Sequence, residues 1–307
     1  MIAHRVQRDL ARAISAVENG ILTGDGALAR VRAAAGTNGT LRHADVIGVT
    51  GPPGAGKSTL VDRLIEGLRA AGETVAVIAV DPSSPFTRGA VLGDRVRMQR
   101  HAGDAGVFIR SMASRQSGGG LAPATRDAVR LAEAAGFDVV LVETVGVGQV
   151  ELEIVAVADV IVVVTVPALG DSVQTIKAGL TEIADIFVVN MADRPGANAT
   201  AVDLRHMVRE SARDIPVLQT IARDGTGVAE LLAAVNIKRA AGEPNAVRAV
   251  RFEIVRRARD RAAAAALAVL DSAEGAAVLA RLREHDLSRS DAVDALLAIL
   301  EGAVHAD

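Results

Sequence analysis

The middle of the chain alternates short apolar runs with longer amphipathic stretches. The runs are rich in Val and Ile and nearly continuous in apolarity, which is typical of strands buried on both faces of a sheet. Because helical patterns lie between them, residues 44–242 are predicted to form an α/β domain with a mostly parallel central sheet flanked by helices. The predicted strands are 46–50, 74–80, 107–109, 138–142, 160–166, 186–190 and 215–221.

Both ends of the chain show helical periodicity without strands. Val6, Leu10 and Ile14 recur at helical spacing in the first 43 residues, which predicts an N-terminal helical extension. Residues 243–307 read as a C-terminal helical arm, with further helices predicted at 272–284 and 288–303. The apolar stripe of this arm lacks an obvious partner within the chain, so we expect the arm to mediate homodimerisation.

Composition excludes several classes of protein. The 307 residues carry a net charge of −3, contain no cysteine and are 2% aromatic. Disulfide scaffolds, Cys-ligated metal centres and thiol nucleophiles are therefore excluded, and a nucleic-acid partner is disfavoured. The most apolar stretch, 154–169, is interrupted by Asp159 and Pro167, so neither a membrane span nor a membrane partner is predicted. We expect a cytoplasmic protein.

A phosphate-binding loop is the strongest chemical signal. A GxxxxGK[ST] motif follows the first predicted strand and precedes a helical run, the context that this motif requires. Its glycines let backbone N–H groups face a β-phosphate, Lys57 is predicted to bridge the β- and γ-phosphates, and the Ser58 hydroxyl is predicted to ligate Mg²⁺. The motif consists of Gly51, Pro52, Pro53, Gly54, Ala55, Gly56, Lys57, Ser58 and Thr59.

Acidic residues end two further strands. Asp81 follows the run at 74–80, and Glu143 follows the run at 138–142. In a P-loop fold, carboxylates at such strand ends lie beside Mg²⁺, and the N–H of a nearby glycine, here Gly146, can sense the γ-phosphate. For Asp81 a simple strand-ending turn is the competing interpretation, because Pro and Ser follow it.

Residues that could read a nucleotide base follow the strand at 186–190. Asp193 can accept hydrogen bonds from guanine N1–H and N2–H₂, a pair of donors that adenine lacks. With Asn190 it forms an NxxD pattern, although an ordinary Asn/Asp turn would look the same. G proteins usually carry lysine after the asparagine. Met191 stands there instead, and its thioether stem could still cover the ring face.

Several stretches together resemble the MeaB/ArgK-type G proteins associated with methylmalonyl-CoA mutase. They are the P-loop, DPSSPF at 81–86, ETVGVGQ at 143–149, and the stretch from Asp171 to Lys177 that leads to Asn190 and Asp193. The resemblance spans almost the whole chain. It implies a homodimeric GTPase that uses GTP/GDP and Mg²⁺. Its client would be an adenosylcobalamin-dependent acyl-CoA mutase, which it assists by gating cofactor loading and by protecting or reactivating it.

The resemblance also implies roles for individual residues. Lys57, Ser58, Asp81, Asp94 and Glu143 match the family's phosphate and Mg²⁺ positions, and Gly146 to Gln149 match switch II. A further switch loop that communicates with the mutase is matched by Asp171, Gln174 and Lys177. A solvated helical face is the simpler interpretation of those last three. The catalytic residues are predicted to be Lys57, Asp81 and Glu143, while neither a general base nor an arginine finger can be assigned.

Three other functions share the fold or the motif. A nickel-insertion GTPase needs clustered His and Cys ligands, whereas this chain has no Cys and six dispersed His. A P-loop ATPase or kinase linked to amino-acid transport would need an acceptor-binding signature, and we find none. A dimeric scaffold that binds nucleotide without turnover is the third alternative.

Overall fold

The computed structural model of the chain divides into two compact units, Met1–Arg248 and Ala249–Asp307. The predicted boundaries at residues 43 and 242 stay predictions. The structure describes residues 2, 4–36, 43–82, 98–101, 103–114, 123–144, 154–167, 183–210, 213–241, 245–284 and 286–304.

In the described part of the first unit, seven strands form one sheet, and each coincides with a predicted apolar run. They are β1 (Asp45–Thr50), β2 (Val75–Pro82), β3 (Val107–Ser114), β4 (Val139–Glu143), β5 (Val160–Thr165), β6 (Ile186–Asn190) and β7 (Val217–Thr220). All neighbouring pairs are parallel, in the order β3-β2-β4-β1-β5-β6-β7. The predicted α/β class with a parallel sheet is therefore confirmed, and β1 lies at its centre.

One strand is longer than its apolar run. β3 was predicted to end at residue 109, but its pairing with β2 continues through Ser114. β3 lies at one edge of the described sheet, so polar residues can continue the ladder without being buried on both sides. Arg110 is one of them, and its Nη2 donates to Glu18 Oε2 at 2.7 Å.

Helices surround this sheet. In the first unit they are α1 (His4–Glu18), α2 (Gly24–Ala35), α3 (Lys57–Ala70), α4 (Pro123–Ala134), α5 (Ala197–Glu210) and α6 (Val228–Ala241). α1 and α2 pack on each other and on α4, burying the predicted positions Val6, Leu10 and Ile14. α3 and α6 cover one face of the sheet, where alternate strand residues form an apolar cluster with them. The loop between β1 and α3 is thereby fixed at the sheet's centre.

The second unit is helical, as predicted. α7 (Asn245–Asp271) begins in the first unit and leads into α8 (Ala273–Arg283) and α9 (Arg289–Val304), which pack on each other. Ser272 and Ser288 begin the last two helices, because each hydroxyl accepts a backbone N–H three residues later. Ile254, Val255 and Leu267 of α7 are more than 60% exposed. The predicted role of this arm in dimerisation stays a prediction.

No single helix in the described ranges is both long and apolar enough to span a membrane. Arg261–Asp271 and Ala273–Arg283 reach that length and apolarity only when taken together, as a pair bent by 67°.

Candidate nucleotide-binding site

The P-loop motif forms the connection between the central strand and α3. Residues 51–56 make the turn, and Lys57, Ser58 and Thr59 are the first residues of the helix. Gly51 has φ +137°, and a Cβ there would lie 1.9 Å from Val164 O of β5. Gly56 ends the loop in the left-handed region at φ +82°. Glycine is thus required at both ends of the loop.

The side chain of Lys57, the first residue of α3, bonds back to the beginning of the P-loop. Its Nζ donates to the carbonyl oxygens of Gly51 at 2.8 Å and Pro52 at 2.9 Å, and the residue is only 6% exposed. The ammonium therefore lies at the N-terminus of a 14-residue helix. Helix N–H groups and this cation together favour an anion such as a phosphate chain.

A hydroxyl and a carboxylate meet beside the loop. Ser58 Oγ donates to Glu143 Oε1 at 2.7 Å, and both residues are less than 7% exposed. Glu143 reaches this position because β4 pairs directly with β1, with Val49 opposite Glu143. A buried hydroxyl and carboxylate are oxygen donors of the kind that Mg²⁺ prefers, so the residues present fit this ion.

Asp81 lies at the same end of the sheet as Glu143, where the strands have their carboxyl ends. It is the penultimate residue of β2, the strand next to β4, and it lies opposite Ala113 of β3. Parallel strands have their carboxyl ends at one end of the sheet. The backbones of Asp81 and Glu143 therefore both reach the end at which α3 begins. Asp81's side chain lies outside the described part.

Asn190 joins the P-loop to the predicted base site. Its Nδ2 donates to Ala55 O at 2.8 Å, and its Oδ1 accepts the Thr220 hydroxyl at 3.1 Å and the Ala222 N–H at 3.0 Å. Asn190 is 2% exposed, so all three bonds are shielded from water. The amide orientation is fixed from both sides, with one bond to the phosphate loop and two to residues at and after the end of β7.

Sequence reasoning missed Thr220 and Ala222. The strand prediction at 215–221 ended near them, but it assigned no role to the turn after the strand. A signal was present in the turn-forming sequence Ala222-Arg223-Asp224-Gly225, which follows a parallel strand at its carboxyl end. This turn is well ordered by local bonds. The Thr226 N–H donates to Asp224 Oδ1 at 3.0 Å and holds the pKa of that carboxyl below its usual range.

Met191 and Asp193 follow Asn190, and the residue between them, Ala192, donates its backbone N–H to Thr220 O of β7 at 3.0 Å. Among the described residues, Met191 is the non-glycine with a positive φ, +55°. Its terminal methyl would lie 3.7 Å from a Cβ at Gly56, so the thioether stem lies over the P-loop. Asp193 is exposed, with its Oδ2 3.7 Å from Arg223 Nη2. The carboxylate is therefore accessible to a base from solvent.

The structure thus brings together the P-loop, Glu143, Asn190, Met191 and Asp193 at one end of the sheet. Six of the predicted site residues fall outside the described residues, and their predicted roles stay predictions: Asp94, Gly146, Gln149, Asp171, Gln174 and Lys177.

Comparison with known proteins identifies the family. The family described as methylmalonyl Co-A mutase-associated GTPase MeaB matches residues 10–274. The chain belongs to this family. The resemblance inferred from its motifs is therefore confirmed.

Two relatives of this MeaB-family chain carry the word GTPase in their names. A protein of Pyrococcus horikoshii that is assigned as a GTPase is 59% identical over 196 residues, which are 62% of each chain. GTPase ArgK of Escherichia coli is 47% identical over 169 residues, covering 55% of this chain and 50% of the relative. The matched region thus spans less than two thirds of these relatives' length.

A solved structure matches the MeaB-family chain over nearly its whole length. The protein described as LAO/AO transport system kinase has a TM-score of 0.62 and 25% identity, covering 97% of this chain and 95% of that one. The P-loop fold predicted from the sequence is therefore confirmed.

Proposed function

We propose that this chain binds GTP together with Mg²⁺ and hydrolyses it to GDP and phosphate. The observation that carries the proposal is the buried Ser58–Glu143 pair. It joins the start of α3, next to Lys57, to the end of β4. We further propose that this cycle assists an adenosylcobalamin-dependent acyl-CoA mutase of the methylmalonyl-CoA mutase type. It would gate cofactor loading and protect or reactivate the enzyme. The family description, which names that mutase, supports this second part.

Hydrolysis by this site requires placement of the triphosphate and neutralisation of its charge. The N–H groups of the loop and of the first turn of α3 would donate hydrogen bonds to the phosphate oxygens. The helix dipole adds positive potential at this end of α3. Lys57 Nζ, bonded to two loop carbonyls, is within the loop that would surround the β-phosphate. Its charge stabilises the oxygens that gain negative charge when the bond to the γ-phosphoryl group breaks.

Ser58 and Glu143 would hold Mg²⁺, with Asp81 and Asp94 as further proposed carboxylate donors. When bound, the ion neutralises charge on the β- and γ-phosphate oxygens. Glu143 also accepts the Ser58 O–H at 2.7 Å, so the lone pairs of the hydroxyl oxygen point away from this carboxylate oxygen. Asp81 is proposed to orient either the attacking water or a water of the ion's shell.

Guanine selection is assigned to Asn190 and Asp193. Asp193 is exposed and can accept both N1–H and N2–H₂ of guanine, whereas adenine presents no such pair of donors. Asn190 keeps the base site in register with the P-loop through Ala55 O. Met191 would cover the ring face with its apolar stem, without the charge of a lysine.

Communication with the mutase is assigned to parts of the chain predicted from the resemblance. Gly146 and Gln149 would sense the γ-phosphate, and Asp171, Gln174 and Lys177 would report that state to the client. The exposed apolar residues of α7, among them Ile254 and Leu267, support homodimerisation through the C-terminal arm.

Phosphate release measured with GTP and with ATP, with and without purified methylmalonyl-CoA mutase, tests the proposed function. We expect slow release from GTP, less from ATP, and an increase with the mutase of about 10-fold, equivalent to about 1.4 kcal/mol. A chain without GTP turnover would contradict the first part. Turnover that responds to none of several acyl-CoA mutases would contradict the second. A kinase linked to transport, as the solved relative is described, predicts instead a phosphorylated acceptor protein in place of free phosphate.

Substitution of Ser58 by alanine tests the ion site. Removal of the hydroxyl deletes one oxygen donor and leaves Glu143 without its bond from Ser58, so the Mg²⁺ concentration that gives half-maximal GTP hydrolysis should rise at least about tenfold. Ser15→Ala is the matched control, because the Ser15 hydroxyl donates within α1, to Ala11 O at 3.0 Å. An unchanged Mg²⁺ requirement in Ser58→Ala would remove Ser58 from the ion site.

A further inference from the structure

The side chain of Arg63 contacts the loop beside the base site. Arg63 lies on α3, six residues after Lys57, and its side chain is 25% exposed. Its Nε donates to Ala222 O at 3.0 Å, and its Nη2 donates to Arg223 O at 2.6 Å. One guanidinium therefore holds two successive carbonyls of the loop that follows β7. A planar fork suits such a pair of acceptors, whereas an ammonium would reach them as a point charge.

Ala222 is thereby held from both sides of its backbone. Its N–H donates to Asn190 Oδ1 at 3.0 Å, and its carbonyl accepts from Arg63. Asn190 in turn donates to Ala55 O in the P-loop. Arg63 is thus connected to the phosphate loop in two ways, along its own helix and through the loop after β7 and Asn190.

A carboxylate fixes the orientation of the Arg63 guanidinium. Nη1 donates to Glu66 Oε2 at 2.9 Å, so all three nitrogens of the group have partners. The other oxygen of Glu66 lies 2.5 Å from Arg100 Nη1, and Arg100 also pairs with Asp62. Arg63 is therefore one member of an ion-pair cluster that links α3 to Arg100, and such clusters limit side-chain motion more than an isolated exposed pair does.

We propose that Arg63 is a positioning residue for base recognition. It holds the 222–223 backbone, which holds the Asn190 amide, and that amide keeps the base site aligned with the P-loop. Loss of Arg63 would loosen the loop, and the preference for guanine over adenine would decrease more than phosphate binding does. This inference rests on the proposed function, because it presumes that the site binds GTP and GDP.

The helix supplies a matched control for this inference. Arg69 lies on the same helix, and its side chain is 24% exposed, nearly the same as that of Arg63. It bonds Asp104 at 2.8 and 2.9 Å and Glu73 O at 2.6 Å, at the end of α3 away from the P-loop. Both arginines make three comparable bonds, so their substitution by alanine should lower stability by similar amounts.

Calorimetric titration of the full chain with GDP and with ADP tests the proposal, with the melting temperature recorded for each variant. For Arg63→Ala we expect the ratio of GDP to ADP affinity to fall about tenfold, about 1.4 kcal/mol in discrimination, while Arg69→Ala keeps the wild-type ratio. Arg63→Lys, which can reach one carbonyl, should have an intermediate ratio, and it replaces the alanine variant if that one does not fold.

The outcomes distinguish a failure of the proposed function from a failure of the role given to Arg63. Wild-type protein that binds neither nucleotide, or binds ADP as well as GDP, would overturn the proposed function itself. Wild-type protein that prefers GDP, together with equal GDP-to-ADP ratios in the Arg63 and Arg69 variants, would overturn the positioning role of Arg63 alone.

Discussion

Lys57→Ala is expected to abolish measurable GTP hydrolysis. The Lys57 ammonium is buried at the start of α3 and is bonded to the Gly51 and Pro52 carbonyls, so it lies within the loop proposed to hold the phosphates. Removal of one preorganised donor that stabilises developing charge typically costs about 10²–10³-fold in rate. The same change also deletes a full positive charge. Phosphate release from GTP, followed at saturating nucleotide, measures the effect.

The chain's few lysines provide the control for this experiment. Lys238 lies on α6, and its Nζ donates to Asp214 O at 3.1 Å in a bond exposed to solvent. Lys238→Ala removes the same charge and stem at a distance from the P-loop, so its rate should equal that of the wild type. Lys57→Ala protein that is folded and hydrolyses GTP at the Lys238→Ala rate would overturn the phosphate-site assignment.

Asp193→Asn is expected to exchange guanine for xanthine as the preferred base. The Asp193 carboxylate accepts two donors of guanine, but an amide presents one acceptor and one donor. The N2–H₂ group of guanine would then face the NH₂ group of the asparagine amide, which is also a donor. Xanthine instead carries an oxygen acceptor at this position. Bonds to a charged group contribute about 1.5–3 kcal/mol, so GDP affinity should fall by more than about tenfold while XDP affinity rises.

Direct titration with GDP and XDP measures this exchange. Asp203→Asn on α5 is a suitable control, since Asp203 is also exposed and lies outside the base site. That variant should keep the wild-type preference for GDP. A base preference in Asp193→Asn that equals that of the control would remove Asp193 from base recognition.

Much of the fold follows from local patterns in the sequence. The seven buried runs predicted seven strands because a strand covered on both faces must be apolar at nearly every position. β3 was underestimated for the same reason, since Arg110 ends the apolar run but remains paired with β2 at the sheet edge. The ends of α8 and α9 were predicted more closely, because Ser272 and Ser288 act as local caps.

The candidate site was predictable where one short segment carries the chemistry. Gly51, Lys57 and Ser58 lie within eight residues, and the requirements of phosphate binding fix their spacing. The contacts of Thr220, Ala222 and Arg63 were not predictable in this way. They depend on which loop the sheet order places beside α3, and that order is a property of tertiary packing. Arg63 is one of 31 arginines, and nothing in its neighbouring sequence distinguishes it.

The bond between Asn190 and Ala55 has a consequence for the chain during its synthesis. It joins residues 135 positions apart, and the other partners of Asn190 lie still further along, at Thr220 and Ala222. The P-loop sequence is therefore synthesised long before the residues proposed to read the base. At about 5–20 residues per second, the 135 positions between Ala55 and Asn190 correspond to about 7–27 seconds of synthesis. During that interval, any nucleotide held by its phosphates would be bound without regard to its base.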